Sequence, residues 1–265
     1  MDNLHSKIMD QSVKIGIIGQ GYVGLPLAIA FAHKFTVIGF DVCSDTVASL
    51  MAGKSHIQDV SDEDLSRFLR KTYFPTSDPN DLRESDVLII CVPTPLSEEK
   101  IPDLSYIKSA CTTIKTILRP GQFVILESTT YPGTTNEVMV PILEETGLAA
   151  GSDFGVAYSP ERVDPGNKKF PIDKVPTVVG GINAECTKVA ATLYGCIVSQ
   201  IIPVRDARTA EAVKMVENIF RNVNIALVNE MALIFERMGI DTWEVIDAAA
   251  TKPYGFMPFY PGPGI

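Results

Sequence analysis

The stretch VKIGIIGQGYVGLPLAIAFA, Val13–Ala32, decides the fold. Val13 to Ile18 is a short β-branched run of the kind that makes a buried strand, and the apolar stretch from Tyr22 to His33 suits a buried helix. Between them stand Gly19, Gly21 and Gly24. A GxGxxG turn is weak evidence alone, but here its strand and helix flanks are those its mechanism requires. Gly19 makes the tight turn, Gly21 lets a pyrophosphate approach the backbone, and Gly24 permits close helix packing. A diphosphate would then rest on the positive end of the helix, against the backbone of Gly19, Gly21, Tyr22, Val23 and Gly24. The alternative is a plain strand-to-helix turn.

Phe35 to Phe40 reads as a second strand, followed by Asp41, twenty residues beyond Gly21. An acidic side chain there accepts hydrogen bonds from the hydroxyls of an adenosine ribose and repels a 2′-phosphate, which favours NAD over NADP. A helix from Ser44 to Met51, capped by Ser44 or Asp45, is expected next, then a short polar helix over Asp62–Arg70.

Farther along, strands are expected at Val87–Val92, Phe123–Glu127, Phe154–Tyr158, Thr177–Val179 and Ile197–Val204. Helices at Leu104–Leu118, Thr134–Thr146 and Ala184–Tyr194 alternate with them, the second ending at Gly147. This alternation predicts an α/β fold: a doubly wound parallel Rossmann sheet, followed by a long central helix over Asp206–Met238 and a short helical region. The domain division expected is 1–205 for the dinucleotide-binding part and 206–265 for the helical remainder. Asp241 to Ala250 is a further helix, and KPYGFMPFYPGPGI, Lys252–Ile265, is too rich in Pro and Gly for helix or central strand.

Glu211, Lys214, Asn218, Asn222 and Asn229 fall on one side of the long helix. Such a stripe is either a wet face or one wall of a site. Lys214 and Asn218, a cation and an amide four residues apart, could both reach a developing oxyanion in a hydride-transfer site. The same pairing occurs in 6-phosphogluconate and 3-hydroxyisobutyrate dehydrogenases, so it indicates redox chemistry at a hydroxyl without saying which.

The formal charge of −9 argues against a nucleic-acid or anionic-membrane partner. The cysteines Cys43, Cys91, Cys111, Cys186 and Cys196 form no CxxC pair, so reduced thiols and no metal site are expected. No run is long enough for a membrane span, and MDNLHSKIMDQSVK lacks the apolar core of a signal peptide. A soluble cytoplasmic protein is the expectation.

Four more segments carry a resemblance. VPTP at Val92–Pro95, ESTTYPGT at Glu127–Thr134, YSPERVDPG at Tyr158–Gly166 and KPYGFMPFYPGPGI at the end resemble, in order and spacing, the UDP-glucose/GDP-mannose dehydrogenase family. The likeness runs from Lys14 onward, and its wording is most similar to the branch that oxidises N-acetylated UDP-hexosamines to uronic acids for surface polysaccharides. The resemblance implies NAD as cofactor, a UDP-sugar as substrate and a homodimer formed through the long helix. It also implies two hydride transfers, passing through an aldehyde and a cysteine-bound thioester.

By the same resemblance, Lys214 and Asn218 would stabilise oxyanions, Glu161 would act as general base through water, and Thr129 would hold that water. Val92, Pro93 and Thr94 would flank the cofactor, with Thr129 close by. Glu161 beside Arg162 could instead be a surface ion pair, and Thr129 could satisfy a turn amide. The family's Gly-Gly-x-Cys nucleophile and its UDP-binding second Rossmann domain have no counterpart in these residues. An N-terminal piece that binds NAD without completing the oxidation is therefore expected. A β-hydroxyacid dehydrogenase relative and a non-catalytic NAD-binding or oligomerisation module remain as alternatives.

Overall fold

The computed structural model describes residues 2–162 and 172–264. Val163, Asp164, Pro165 and Gly166 of the YSPERVDPG stretch, and Ile265, lie outside the described residues. The chain separates into two compact units, Met1–Ala212 and Val213–Ile265.

The first unit is built on an eight-stranded sheet. Its strands are β1 (Lys14–Ile18), β2 (Thr36–Phe40), β3 (Tyr73–Thr76), β4 (Val87–Ile90), β5 (Phe123–Leu126), β6 (Gly155–Tyr158), β7 (Thr177–Gly181) and β8 (Ile201–Pro203). They lie side by side in the order β3-β2-β1-β4-β5-β6-β7-β8. Pairing is parallel from β3 through β6, and β7 pairs parallel with β8. Between β6 and β7 it is antiparallel, registered at Ala157 with Gly181 and Tyr158 with Gly180.

The two-residue period of the strands explains both cores. Val87, Ile89, Phe123 and Ile125 point into a cluster with Ile15, Ile17, Phe31 and Leu193. The cluster residues Leu25, Ala28 and Phe31 come from α2 (Gly24–Ala32), and Val189, Ala190 and Leu193 from α7 (Ala184–Tyr194). The intervening Leu88, Ile90, Val124 and Leu126 are equally buried, as are Ile107 and Ile114 of α5 (Ser105–Lys115). With both faces covered, the strands can be apolar at every position, and β4 and β5 are.

The remaining helices of this unit are α1 (Asp2–Met9), α3 (Ser44–Met51), α4 (Asp62–Phe68) and α6 (Val140–Glu144). Two expected details differ. Neither Ser44 nor Asp45 caps α3: Ser44 begins the helix and Cys43 holds the cap position. The helix expected from Thr134 opens as a π turn, Thr135–Met139, before α6. Pro141 lacks an N–H and its ring crowds the carbonyl four residues back, which the wider turn relieves.

The long helix α8 (Ala207–Met238) starts in the first unit and supplies the second, together with α9 (Thr242–Ala250). Asp206 caps α8, as an acidic residue at this position can. Its Oδ1 accepts from the Thr209 amide at 2.8 Å and from the Thr209 hydroxyl at 2.7 Å. Gly239 ends the helix at φ +70°, a left-handed cap that glycine adopts without strain. Within the second unit the C-terminal segment lies along α8. The Asn229 amide exchanges hydrogen bonds with the Gly262 backbone at 2.8 and 2.9 Å, and the Phe220 and Phe259 rings meet edge to face at 5.6 Å. No helix among the described residues is long and apolar enough to cross a membrane.

Candidate functional site

The parallel strands β1 through β6 end on one edge, where an open α/β sheet places its ligand crevice. At that edge Gly19 has φ +94°, and a Cβ there would stand 2.5 Å from the Cys91 carbonyl oxygen. That left-handed conformation suits glycine. A Cβ on Gly24 would collide with the carbonyl oxygen of Gly19, so the helix can enter this close to the turn only with glycine there. A Cβ on Gly21 would meet nothing within 4 Å. The turn is therefore packed tight at its first and third glycines and open at the second.

The N-terminus of α2 has no side-chain cap. The helix dipole favours an anion at this end, which is what a diphosphate offers. Tyr22 is exposed and Val23 half-buried beside that opening.

Asp41 follows β2 directly. Its Oδ2 accepts from the Gln20 amide at 2.8 Å and its Oδ1 from the Cys43 amide at 2.9 Å. These bonds fix the carboxylate while each oxygen keeps a lone pair for a ribose hydroxyl. Open backbone at Gly21, an uncapped helix end and an oriented acid beside them fit a dinucleotide.

The next two strand ends are joined by side chains. Thr94 donates from its hydroxyl to the Thr129 carbonyl at 2.7 Å, which ties the Val92–Pro93–Thr94 loop to the ESTTYPGT turn. Thr130 and Thr134 share a hydroxyl contact of 2.6 Å within that turn. Glu211, placed by helical spacing on a polar stripe that is either a wet face or one wall of a site, is wholly buried. Its carboxylate accepts from the Gly133 amide at 2.5 Å, the Thr135 amide at 2.8 Å and the Thr135 hydroxyl at 2.6 Å. Burial raises its pKa, and those hydrogen bonds oppose the rise.

Glu161 is half-buried and lines a pocket with Glu127, Arg162, Tyr194 and Val198. Arg162 donates to the Pro176 carbonyl at 2.5 Å. The Tyr194 hydroxyl donates to Glu127 Oε2 at 2.7 Å. Burial lifts the Cys91 thiol well above its ordinary range, with Glu127 and Glu161 adding to the effect. Sequence reasoning assigns no role to Glu127 or Tyr194. The available signal for Glu127 is an acidic residue closing an apolar strand, in FVILE.

In the second unit Lys214 and Asn218 stand one turn apart on α8, both half-buried. The Asn218 Oδ1 accepts from Arg221 at 3.2 Å.

A glycine-turn Rossmann sheet with an oriented acid after its second strand defines a dinucleotide-binding domain. The chain belongs to the UDP-glucose/GDP-mannose dehydrogenase family, residues 13–198 matching its NAD binding domain and residues 208–265 its central domain. It is 41% identical over 254 residues to the UDP-N-acetyl-D-glucosamine 6-dehydrogenase of Pseudomonas aeruginosa, covering 95% of this chain and 60% of that protein. Among solved structures it resembles the UDP-D-ManNAc dehydrogenase of Pyrococcus horikoshii, with a TM-score of 0.88 and 39% identity over 94% of this chain and 60% of that one. The chain thus spans about 60% of the length of these relatives. Its cofactor is NAD.

Proposed function

We propose that this chain is the cofactor-binding and central helical part of an NAD-dependent enzyme that oxidises the C6 hydroxymethyl of a UDP-N-acetylhexosamine to a carboxylate. The observation that carries this reading is the identity over nearly the whole chain to a UDP-N-acetyl-D-glucosamine 6-dehydrogenase.

In this reading the adenosine ribose donates hydrogen bonds to Asp41, and the diphosphate lies over Gly19, Gly21, Tyr22, Val23 and Gly24. Val92, Pro93, Thr94 and Thr129 lie along the nicotinamide side. NAD, when bound, supplies the hydride acceptor. Lys214 and Asn218 balance the negative charge that builds on the reacting oxygen, and Glu161 takes a proton through a water that Thr129 orients.

The acylation step needs a thiolate, and four of the five cysteines are poor sources of one. Burial holds the Cys91 and Cys186 thiols above their ordinary range and pushes Cys111 up to about 12. Cys196 is also raised by burial. Cys43 is exposed but sits two residues after Asp41, at the ribose end. Hence these 265 residues alone bind NAD and do not complete the oxidation.

Val216, Ile219, Phe220, Val223 and Leu227 of α8 are exposed, and a second copy of the chain is the partner proposed for that apolar row. Free cysteines and an acidic surface suit a cytoplasmic setting.

The test compares the full-length gene product with this chain, following NADH absorbance in the presence of NAD and UDP-N-acetylglucosamine. Turnover is expected from the former alone and should disappear in Lys214→Ala while NAD binding persists. Substantial turnover by the 265 residues, or full activity in Lys214→Ala, would overturn the assignment.

A further inference from the structure

The residue between the first two glycines, Gln20, is wholly buried, which is unusual for a glutamine in a surface turn. Its Nε2 donates to the Ile17 carbonyl at 3.0 Å and the Gly19 carbonyl at 3.1 Å. Its Oε1 accepts from the Tyr73 hydroxyl at 2.7 Å. Tyr73 is itself wholly buried and belongs to β3, two strands away from the turn in the sheet. The side chain therefore spans from the end of β1, across β2, to β3.

The strand crossed on the way is β2, and the residue beneath the amide is Gly39. A Cβ there would stand 2.6 Å from Gln20 Oε1 and 2.7 Å from the Tyr73 hydroxyl oxygen, so the glycine makes the room that the pair occupies. Two residues on is Asp41, whose Oδ2 accepts from the backbone amide of the same Gln20. One residue thus grips both parts of the cradle. Its backbone holds the ribose acid, and its side chain fastens the glycine turn to β3. Burial, with the Asp41 charge adding to it, raises the Tyr73 pKa, so the phenol keeps its proton and always donates.

We infer that Gln20 and Tyr73 act as one buried bolt that sets the position of the glycine turn relative to Asp41, and are positioning residues for NAD. Neither touches the dinucleotide in this account. If the bolt is cut, the turn is free to shift against the acid, and the diphosphate and ribose subsites lose their common register. This rests on the proposed roles of the glycine turn and Asp41 in holding NAD, and a parallel titration of the wild-type chain tests that premise separately.

The variants are Gln20→Met, Tyr73→Phe and the double variant, each close in volume to the original side chains. NAD affinity is measured by calorimetry on this chain well below each variant's Tm, with Tm recorded alongside. Each single change leaves a buried polar atom without its partner, and about a tenfold weaker NAD Kd is expected. The double variant removes both ends of the Tyr73–Gln20 bond, although the Ile17 and Gly19 carbonyls still lose the Gln20 Nε2 donor, and its Tm is expected to lie above that of Gln20→Met, in which the Tyr73 hydroxyl is also left unpaired. Its Kd should nevertheless stay as weak as either single variant, because the turn is still unbolted.

Wild-type Kd in the variants with a lowered Tm would overturn the inference, leaving the pair a purely stabilising contact. Losses in Kd that multiply in the double variant would also overturn it, since the two residues would then act independently. If either single variant fails to fold, the Kd of the double variant decides alone.

Discussion

The carboxylate of Asp41 is held by the backbone of the glycine turn: the Gln20 amide donates to its Oδ2 at 2.8 Å. The acid expected to read the ribose is thus fixed by the loop expected to hold the diphosphate. Asp41→Ala should weaken NAD binding about tenfold, the loss of charge-assisted hydrogen bonds to two hydroxyls. Isothermal titration with NAD and NADP, for wild type and variant, checks it. Wild type should prefer NAD, and the preference should shrink in Asp41→Ala; equal affinities in wild type would contradict the role.

Glu211 is the buried acceptor for two backbone amides and a hydroxyl of the ESTTYPGT turn and the residue after it. Glu211→Ala leaves those donors without partners in a closed space, and should cost about 3 kcal/mol or more. Glu211→Gln keeps one acceptor oxygen and should cost clearly less. Urea midpoints of the two variants, at constant m, measure the difference.

Asp206 carries a pH signature. Hydrogen bonds from the Thr209 hydroxyl and amide, and the pair with Arg205, hold its carboxylate down at about 2. The folded value lies below the unfolded one of about 3.9, so its contribution is full above the unfolded value and is lost as pH falls towards the folded value. Asp206→Ala should lower stability by about 1 kcal/mol at neutral pH, a cap-sized effect. The gap between wild type and variant should close between about pH 4 and pH 2, in unfolding curves followed by circular dichroism.

Cys43 should be the first thiol to react with an alkylating reagent. It is exposed, and hydrogen bonding from Thr46 lowers its pKa, whereas burial raises those of Cys91, Cys111, Cys186 and Cys196. Reactivity follows the thiolate and its access to reagent. Saturating NAD should slow the reaction, since Cys43 donates its own amide to Asp41. Peptide mapping after limited iodoacetamide treatment, with and without NAD, reads both effects.

The cradle was legible in the sequence because its signals are local. Gly19, Gly21, Gly24 and Asp41 fall in one strand-turn-helix-strand run, and each has a distinct steric or electrostatic reason to be there. β3 was missed because Tyr73–Thr76 is only four residues long and contains Pro75, which reads as a turn. The sheet tolerates that proline because β3 is its edge strand. α1 was missed because DNLHSKIM is mostly polar, with Leu4 and Ile8 buried. The strand expected over Ile197–Val204 shrinks to Ile201–Pro203, since the amides of Ile197 and Val198 turn back to the Tyr194 carbonyl.

Long-range partners left no trace in the sequence. Gln20 and Tyr73 are 53 residues apart, and Glu211 is 76 from Thr135. Helical spacing put Glu211 on a polar stripe, but spacing cannot say that the turn facing it occupies both of its carboxylate oxygens. Glu127 and Tyr194 escaped for the same reason, their contact closing over 67 residues.

The reversed strand β7 overlaps β6 in only two registered pairs, so β7 and β8 are stepped towards the edge where the parallel strands end. Asp206 consequently comes to lie against Gly180, where a Cβ would strike its carbonyl. The strand pair thus works as a spacer of set length. Adding or removing two residues in β8 would carry the Asp206 cap about 7 Å along the strand axis and off Gly180, so the fit at this one glycine fixes the length of the strand that precedes it.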